Sequence, residues 1–150
     1  QMLGLEIIDD EGLEGAPSRV NGLGLLDIIT VMKPQKRLAR SEAIYLPTGD
    51  TVSGYEIHIG ETTGPDCDRA WLSLDGRDEG AASADGRVRG CYLHGLFTAD
   101  AFRAAYLAEL GTALPVTNYA SGVEATLNAL ADHLEMHMDI DALLALAGEV

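Results

Sequence analysis

Two cysteines, Cys67 and Cys91, are all that the 150 residues contain. Two thiols so placed make neither a disulfide framework nor a metal-ligand pattern. Reduced thiols are the default of a cytoplasmic protein, which is the expected location. Basic residues are also scarce: 10 Lys and Arg stand against 24 Asp and Glu, a net charge of −14. So acidic a chain repels phosphate backbones, which speaks against a nucleic-acid partner. No apolar run approaches the roughly 20 residues of a membrane span, so no membrane partner is expected. The opening text Gln1-Met2-Leu3-Gly4-Leu5-Glu6 has no basic region leading into an apolar one and is no secretory signal. It does not begin with Met, and the chain is expected to start in mid-protein. No serine stands in a Gly-x-Ser-x-Gly elbow. No Gly-Lys-Ser/Thr loop is present to cradle a phosphate.

What is present is a globular composition. The chain is 47% hydrophobic and 23% charged, long enough for one domain or part of one with a core. Residues 1–4 read as the end of a helix stopped by Gly4, and residues 9–24, rich in Gly, Asp and Glu, as a loop. The β-branched run Ile28-Ile29-Thr30-Val31-Met32 reads as a strand ended by Pro34. Lys33, Lys36, Arg37 and Arg40 then read as a solvated connection. Residues 42–47 and 51–59 are predicted strands around a turn at Pro47-Thr48-Gly49-Asp50. Trp71-Leu72-Ser73-Leu74 and residues 80–83 are short strands, with turns at Asp75-Gly76 and Asp85-Gly86.

The central stretch is Arg87 to Phe97, read as a buried strand ending at His94-Gly95. Alternation puts Val88, Gly90, Tyr92 and His94 on one face, and Cys91 and Leu93 on the other. Thr98 is then the predicted N-cap of a helix striped by Ala99, Phe102, Tyr106 and Leu110 and ended by Gly111. Ser121 is predicted to cap a second helix, striped by Val123, Leu127, Leu130 and Leu134, and Asp139 a third over 140–147. Strands first and helices last fit an α/β or α+β domain.

Four histidines are the candidates for chemistry. His133 and His137 share a helix face, but no third ligand is evident, and no metal site is expected. His58 and His94 lie in glycine-rich strand contexts suited to acid/base work. His94 also admits the plainer reading of a core histidine satisfied at a strand end. Neither cysteine suits the role of nucleophile. Cys67 lies between Asp66 and Asp68, which disfavour its thiolate. Cys91 points away from His94 by alternation. On its own chemistry the chain holds half a catalytic site.

Gly54-Tyr55-Glu56-Ile57-His58-Ile59-Gly60, Gly86-Arg87-Val88 and Tyr92-Leu93-His94-Gly95-Leu96-Phe97 closely resemble the glutamine amidotransferase domain of the cobyric acid synthases. Gly22-Leu23-Gly24-Leu25-Leu26 and Leu130-Ala131-Asp132-His133-Leu134 resemble it too, so the likeness runs from Gln1 to about Leu146. It implies an α/β fold: an open three-layer sheet of flavodoxin-like class, as in class I glutamine amidotransferases, with residues 1–150 its C-terminal portion. In that family the nucleophile sits in a Cys-Gly-Gly-Tyr-Gln-Met-Leu-Gly-like elbow. Gln1-Met2-Leu3-Gly4 matches its end, which places the nucleophile four positions before Gln1 and outside this chain.

The resemblance further implies that His94 deprotonates that cysteine and protonates the departing ammonia. Gln1, Tyr55, Glu56 and His58 are implied to meet the substrate glutamine. Triad glutaminases of the wider class carry a glutamate two residues after the histidine, where this chain has Leu96. The group that orients His94 is therefore elsewhere or missing, with Glu56 one candidate. No cofactor is expected in this chain. ATP and Mg²⁺ belong to an N-terminal synthetase domain of the same protein, the expected partner. The rival expectation is a non-catalytic binding or regulatory domain that keeps the fold without the nucleophile.

Overall fold

The computed structural model describes residues 1–112 and 118–147, and the chain divides into two compact units, Gln1–Leu114 and Pro115–Val150. The first unit is built on a long hairpin. β3 (Ile29–Tyr45) and β4 (Asp50–Thr63) pair antiparallel from Ile29↔Thr63 to Tyr45↔Asp50. The turn between them closes at Gly49, φ +79°, whose N–H donates to the Tyr45 carbonyl at 2.8 Å. A left-handed backbone there favours glycine.

Pro34 stands inside β3 and does not end it. The pairing register slips between Val31 and Lys36. The missing N–H of Pro34 therefore falls in a bulge, where no ladder bond is lost. Gly60 faces this irregularity at φ +109°, and a Cβ there would come within 2.8 Å of the Val31 carbonyl oxygen. Lys33, Lys36, Arg37 and Arg40 accordingly line a strand and not a connecting loop.

β1 (Glu6–Asp9) runs parallel to β3 and antiparallel to β2 (Ser18–Asn21), a strand inside the expected 9–24 loop. β5 (Leu72–Leu74) pairs with β3, and β6 (Arg77–Glu79) with β5. The hairpin between β5 and β6 turns at Asp75 and Gly76, both with positive φ, as the Asp-Gly pair predicts. β7 (Ala81–Ala82) and β8 (Arg89–Gly90) form a separate pair, and β9 (Leu93–His94) adds to β4. The result is a mixed α/β arrangement around a mixed sheet, in the order β2-β1-β3-β4-β9 with β5 and β6 attached to β3.

Residues 1–4 form a turn and not a helix end: the Gly4 N–H donates to the Gln1 carbonyl at 3.0 Å. The 87–97 stretch is not one buried strand but two short ones on different sheets, with a bend at Tyr92 between them.

The main core gathers Tyr45, Val52, Trp71, Leu72, Leu74, Leu93, Leu96 and Phe102. Alternation explains the strand members: Ala43 and Tyr45 on β3, and Leu72 and Leu74 on β5, all point inward. Phe102 comes from α1 (Asp100–Glu109) and is fully buried, with its ring 5.0 Å from Tyr45 and 5.6 Å from Tyr106. Burying such a ring contributes about 2–3 kcal/mol. Thr98 does not cap α1, because its hydroxyl donates to the Gly95 carbonyl at 2.8 Å, and Ala99 holds the cap position.

In the second unit α2 (Tyr119–His137) is capped by Asn118, whose Oδ1 accepts from the Ser121 N–H at 2.9 Å. The cap therefore falls three residues before the one expected. α3 (Ile140–Ala147) is capped by Asp139, as expected. The imidazoles of His133 and His137 lie 4.4 Å apart on α2. Among the described residues no group of three or more His, Cys, Asp or Glu is placed to hold a metal ion, and no helix is long and apolar enough to cross a membrane.

Candidate active site

β4 and β9 place the candidate residues. Tyr55 is registered opposite His94, and Glu56 opposite Leu93. On the other side of β4, Tyr55 faces Arg40 and Glu56 faces Ala39. Opposed residues of antiparallel strands share a face. Arg40, Tyr55 and His94 thus stand in a row on one face, and Ala39, Glu56 and Leu93 on the other. The first face is open: Tyr55 is 53% exposed, and His94 is exposed too. The second is closed: Glu56 and Leu93 are each 2% exposed. His94 is therefore not a core histidine.

Gly54 allows the close approach of the two strands, since a Cβ there would come within 2.2 Å of the His94 carbonyl oxygen. After His94 the chain turns through Gly95, at φ +83°. The imidazole turns back across the strand pair, and its Nε2 lies 3.1 Å from the Ile57 carbonyl oxygen. A carbonyl only accepts, so Nε2 carries the hydrogen in this contact. Nδ1 makes no hydrogen bond among the described residues and is left as the basic nitrogen.

Glu56 does not orient His94. It lies on the opposite face, where one carboxylate oxygen accepts from Arg37 Nε at 3.0 Å and the other from Arg77 Nη2 and from His58 Nε2, the latter at 3.3 Å. Burial pushes its carboxyl up, but the hydrogen bonds from Arg37, Arg77 and His58 outweigh that and hold it below the usual carboxylate value. His58 is fixed at its other nitrogen by the Gly60 carbonyl at 3.0 Å, and its ring stacks on Tyr92 at 4.2 Å. Tyr92 is hydrogen-bonded through its hydroxyl to Thr62. The Tyr55–His58 segment is regular strand within β4, as the reading of residues 51–59 expects.

A cavity of about 590 Å³ opens beside this cluster, lined among others by Gln1, Leu3, His58, Arg77, Cys91 and Tyr92. The Gln1 side-chain amide donates to the Ile59 carbonyl at 3.0 Å. Of the five candidate residues, Gln1 and His58 reach this cavity, while Tyr55, Glu56 and His94 do not line it.

Cys91 is unsuited to nucleophilic attack for a reason other than strand alternation, since the strand is interrupted. Its thiol donates to the Leu93 carbonyl at 3.6 Å and packs against the main core. Burial, with a smaller contribution from Glu79, pushes the thiol up to about 11 against a small opposing effect of that hydrogen bond. The Cys67 thiol is also raised, first by burial and then by the charges of Asp68 and Glu79.

Sequence reasoning missed Arg37, Arg77 and Glu79. Arg37 lay in a basic run that resembles a solvated loop. Arg77-Asp78-Glu79 follows a turn signal and carries no apolar cue to burial, although Glu79 is 6% exposed.

The chain belongs to the CobB/CobQ-like glutamine amidotransferase domain family, whose model matches residues 1–102. Among proteins of established name, it is 61% identical over 147 residues to a cobyric acid synthase of Ruegeria sp. (strain TM1040), 98% of this chain and 30% of that protein. It is 56% identical over 147 residues to a cobyric acid synthase of Cereibacter sphaeroides (strain ATCC 17025), with 98% and 31% covered. A cobyric acid synthase of Bradyrhizobium diazoefficiens is 52% identical over the same length, with 98% and 30% covered. The chain therefore spans about 30% of the length of the curated relatives it matches.

Proposed function

We propose that residues 1–150 are the C-terminal part of the glutaminase domain of a cobyric acid synthase, an open α/β sheet of flavodoxin-like class. The observation that carries this reading is the setting of His94. It stands on an exposed sheet face, one ring nitrogen is tied to the Ile57 carbonyl at 3.1 Å, and the other makes no hydrogen bond among the described residues. A general base needs this fixed orientation together with an unblocked nitrogen.

The nucleophile in this reading is a cysteine of the polypeptide that precedes Gln1 in the longer protein. His94 Nδ1 takes the thiol proton as the sulfur attacks the glutamine side-chain carbonyl, and returns it to the departing ammonia. Backbone N–H groups of the same preceding segment stabilise the oxyanion. Tyr55, beside His94 on the open face, meets the substrate, whereas Gln1 and His58 border the cavity that His94 does not line, with Glu56 holding His58 in place.

The released ammonia serves a synthetase portion of the protein. There ATP and Mg²⁺ activate the side-chain carboxylates of adenosylcobyrinic acid a,c-diamide for amidation, a step of cobalamin biosynthesis in the cytoplasm. The experiment is labelling of the full-length protein with an electrophilic glutamine analogue, mapped by peptide mass. Label on a cysteine upstream of Gln1 supports the reading. Label on Cys91, or none on a folded protein, overturns it.

A further inference from the structure

We propose that Glu79 is a positioning residue for His94: its buried carboxylate holds the bend at Tyr92 and, through the backbones of Tyr92 and Ile57, sets the carbonyl that orients the imidazole. Between β8 and β9 the chain leaves one sheet and joins another, and at the bend the Tyr92 N–H has no strand partner. A Glu79 carboxylate oxygen accepts that N–H at 2.8 Å. A buried peptide donor is costly to leave unpaired, and an anionic acceptor makes one of the stronger bonds to it.

The next bonds run toward the histidine. The Tyr92 carbonyl accepts the Ile57 N–H at 3.2 Å, and the Ile57 carbonyl accepts from His94 Nε2 at 3.1 Å. Leu96, the side chain two residues past His94, is buried and apolar, and offers the ring nothing.

Glu79 is itself held firmly. Its other carboxylate oxygen accepts from Arg77 Nη1 at 3.3 Å, and Arg77 also reaches Glu56. Its backbone is registered with Leu72 across β5–β6, and its carbonyl accepts the Trp71 N–H at 3.3 Å. The Trp71 indole N–H donates in turn to the Gly90 carbonyl at 3.0 Å, just before the bend. Gly80 leaves room for that indole, since a Cβ there would come within 2.6 Å of Nε1. The chain is therefore held at the bend by Glu79 of β6 and just before it by Trp71, the residue that precedes β5.

The catalytic meaning of this device rests on the glutaminase reading, but the geometry does not. The first readout is nuclear magnetic resonance on the full chain: hydrogen-exchange protection of the Tyr92 amide, and ring-to-backbone Overhauser contacts from His94 to Ile57. In Glu79→Ala the Tyr92 protection falls at least about tenfold and the His94–Ile57 contacts are lost. Glu79→Asp, one methylene shorter but still charged, behaves like the alanine variant. Glu79→Gln keeps an acceptor and retains most of both signals.

The second readout is glutamine hydrolysis by the full-length protein. Misplacing His94 lowers kcat by roughly tenfold to a hundredfold in the Ala and Asp variants, with KM within about twofold. The Gln variant stays within about threefold of the parent. Unchanged Tyr92 protection and His94 contacts in Glu79→Asp overturn the proposal, whatever the protein hydrolyses, and that variant decides if Glu79→Ala does not fold. Signals lost as expected in a protein that hydrolyses no glutamine uphold the positioning and overturn the glutaminase reading instead.

Discussion

The His94 imidazole donates through Nε2 to the carbonyl oxygen of Ile57, 3.1 Å away across the β4–β9 pair. This backbone oxygen selects a tautomer and holds the ring, but adds no full negative charge. Because the ring is exposed, removing it does little to the fold. His94→Ala should unfold within about 0.5 kcal/mol of the parent in urea or thermal melts.

Gly54 behaves differently, although it has no side chain to lose. A Cβ at this position meets the His94 carbonyl oxygen at 2.2 Å and the Leu93 side chain at 3.1 Å. Backbone cannot move aside cheaply, so Gly54→Ala should destabilise by about 1–3 kcal/mol and loosen β9 from β4. Urea melts measure the first effect, and amide exchange of Leu93 and His94 the second.

Glu56 makes stability depend on pH. Its carboxyl is held below the ordinary value of 4.5 in the folded chain. Its contribution is therefore complete above the ordinary value and is lost as pH falls through the lowered one. Glu56→Gln should cost about 2 kcal/mol near neutrality, less than a fully buried pair because Arg37 and Arg77 are half exposed. Unfolding series at stepwise lower pH should show the gap between the two proteins narrowing once the solution passes below 4.5.

Cys91 should be inert. With its thiol raised to about 11, its thiolate is scarce at neutral pH. Iodoacetamide treatment of the folded chain, followed by peptide mapping, should leave Cys91 unmodified until denaturant is added. Cys91→Ser should leave glutamine hydrolysis by the full-length protein unchanged.

Phe102→Ala tests the core that supports the site from beneath. The ring is fully buried and neighbours Tyr45, Trp71, Phe97 and Tyr106. The cavity left behind should lower stability by about 3–5 kcal/mol in denaturant melts.

Local alternation and turn chemistry made the β3–β4 hairpin, the Asp75-Gly76 turn and α1 legible in the sequence, because each depends on neighbours along the chain. Pro34 was misleading because its tolerance depends on a register slip against β4 that only pairing reveals. The bend at Tyr92 was hidden for a similar reason: its acceptor is a side chain 13 residues earlier, and an acidic residue reads as surface. His94 and Glu56 stood out by motif, but their faces did not. Once the strand breaks at Tyr92, alternation no longer counts through it, and only the Tyr55↔His94 register puts His94 on the open face and Glu56 on the closed one.

The most direct test of the account is glutamine turnover by the full-length protein and its His94→Ala variant, read as glutamate release with folding checked by circular dichroism. The account predicts steady turnover in the parent and a loss of at least about a thousandfold in a variant that is equally folded. Undiminished glutamate release by a folded His94→Ala protein would contradict it.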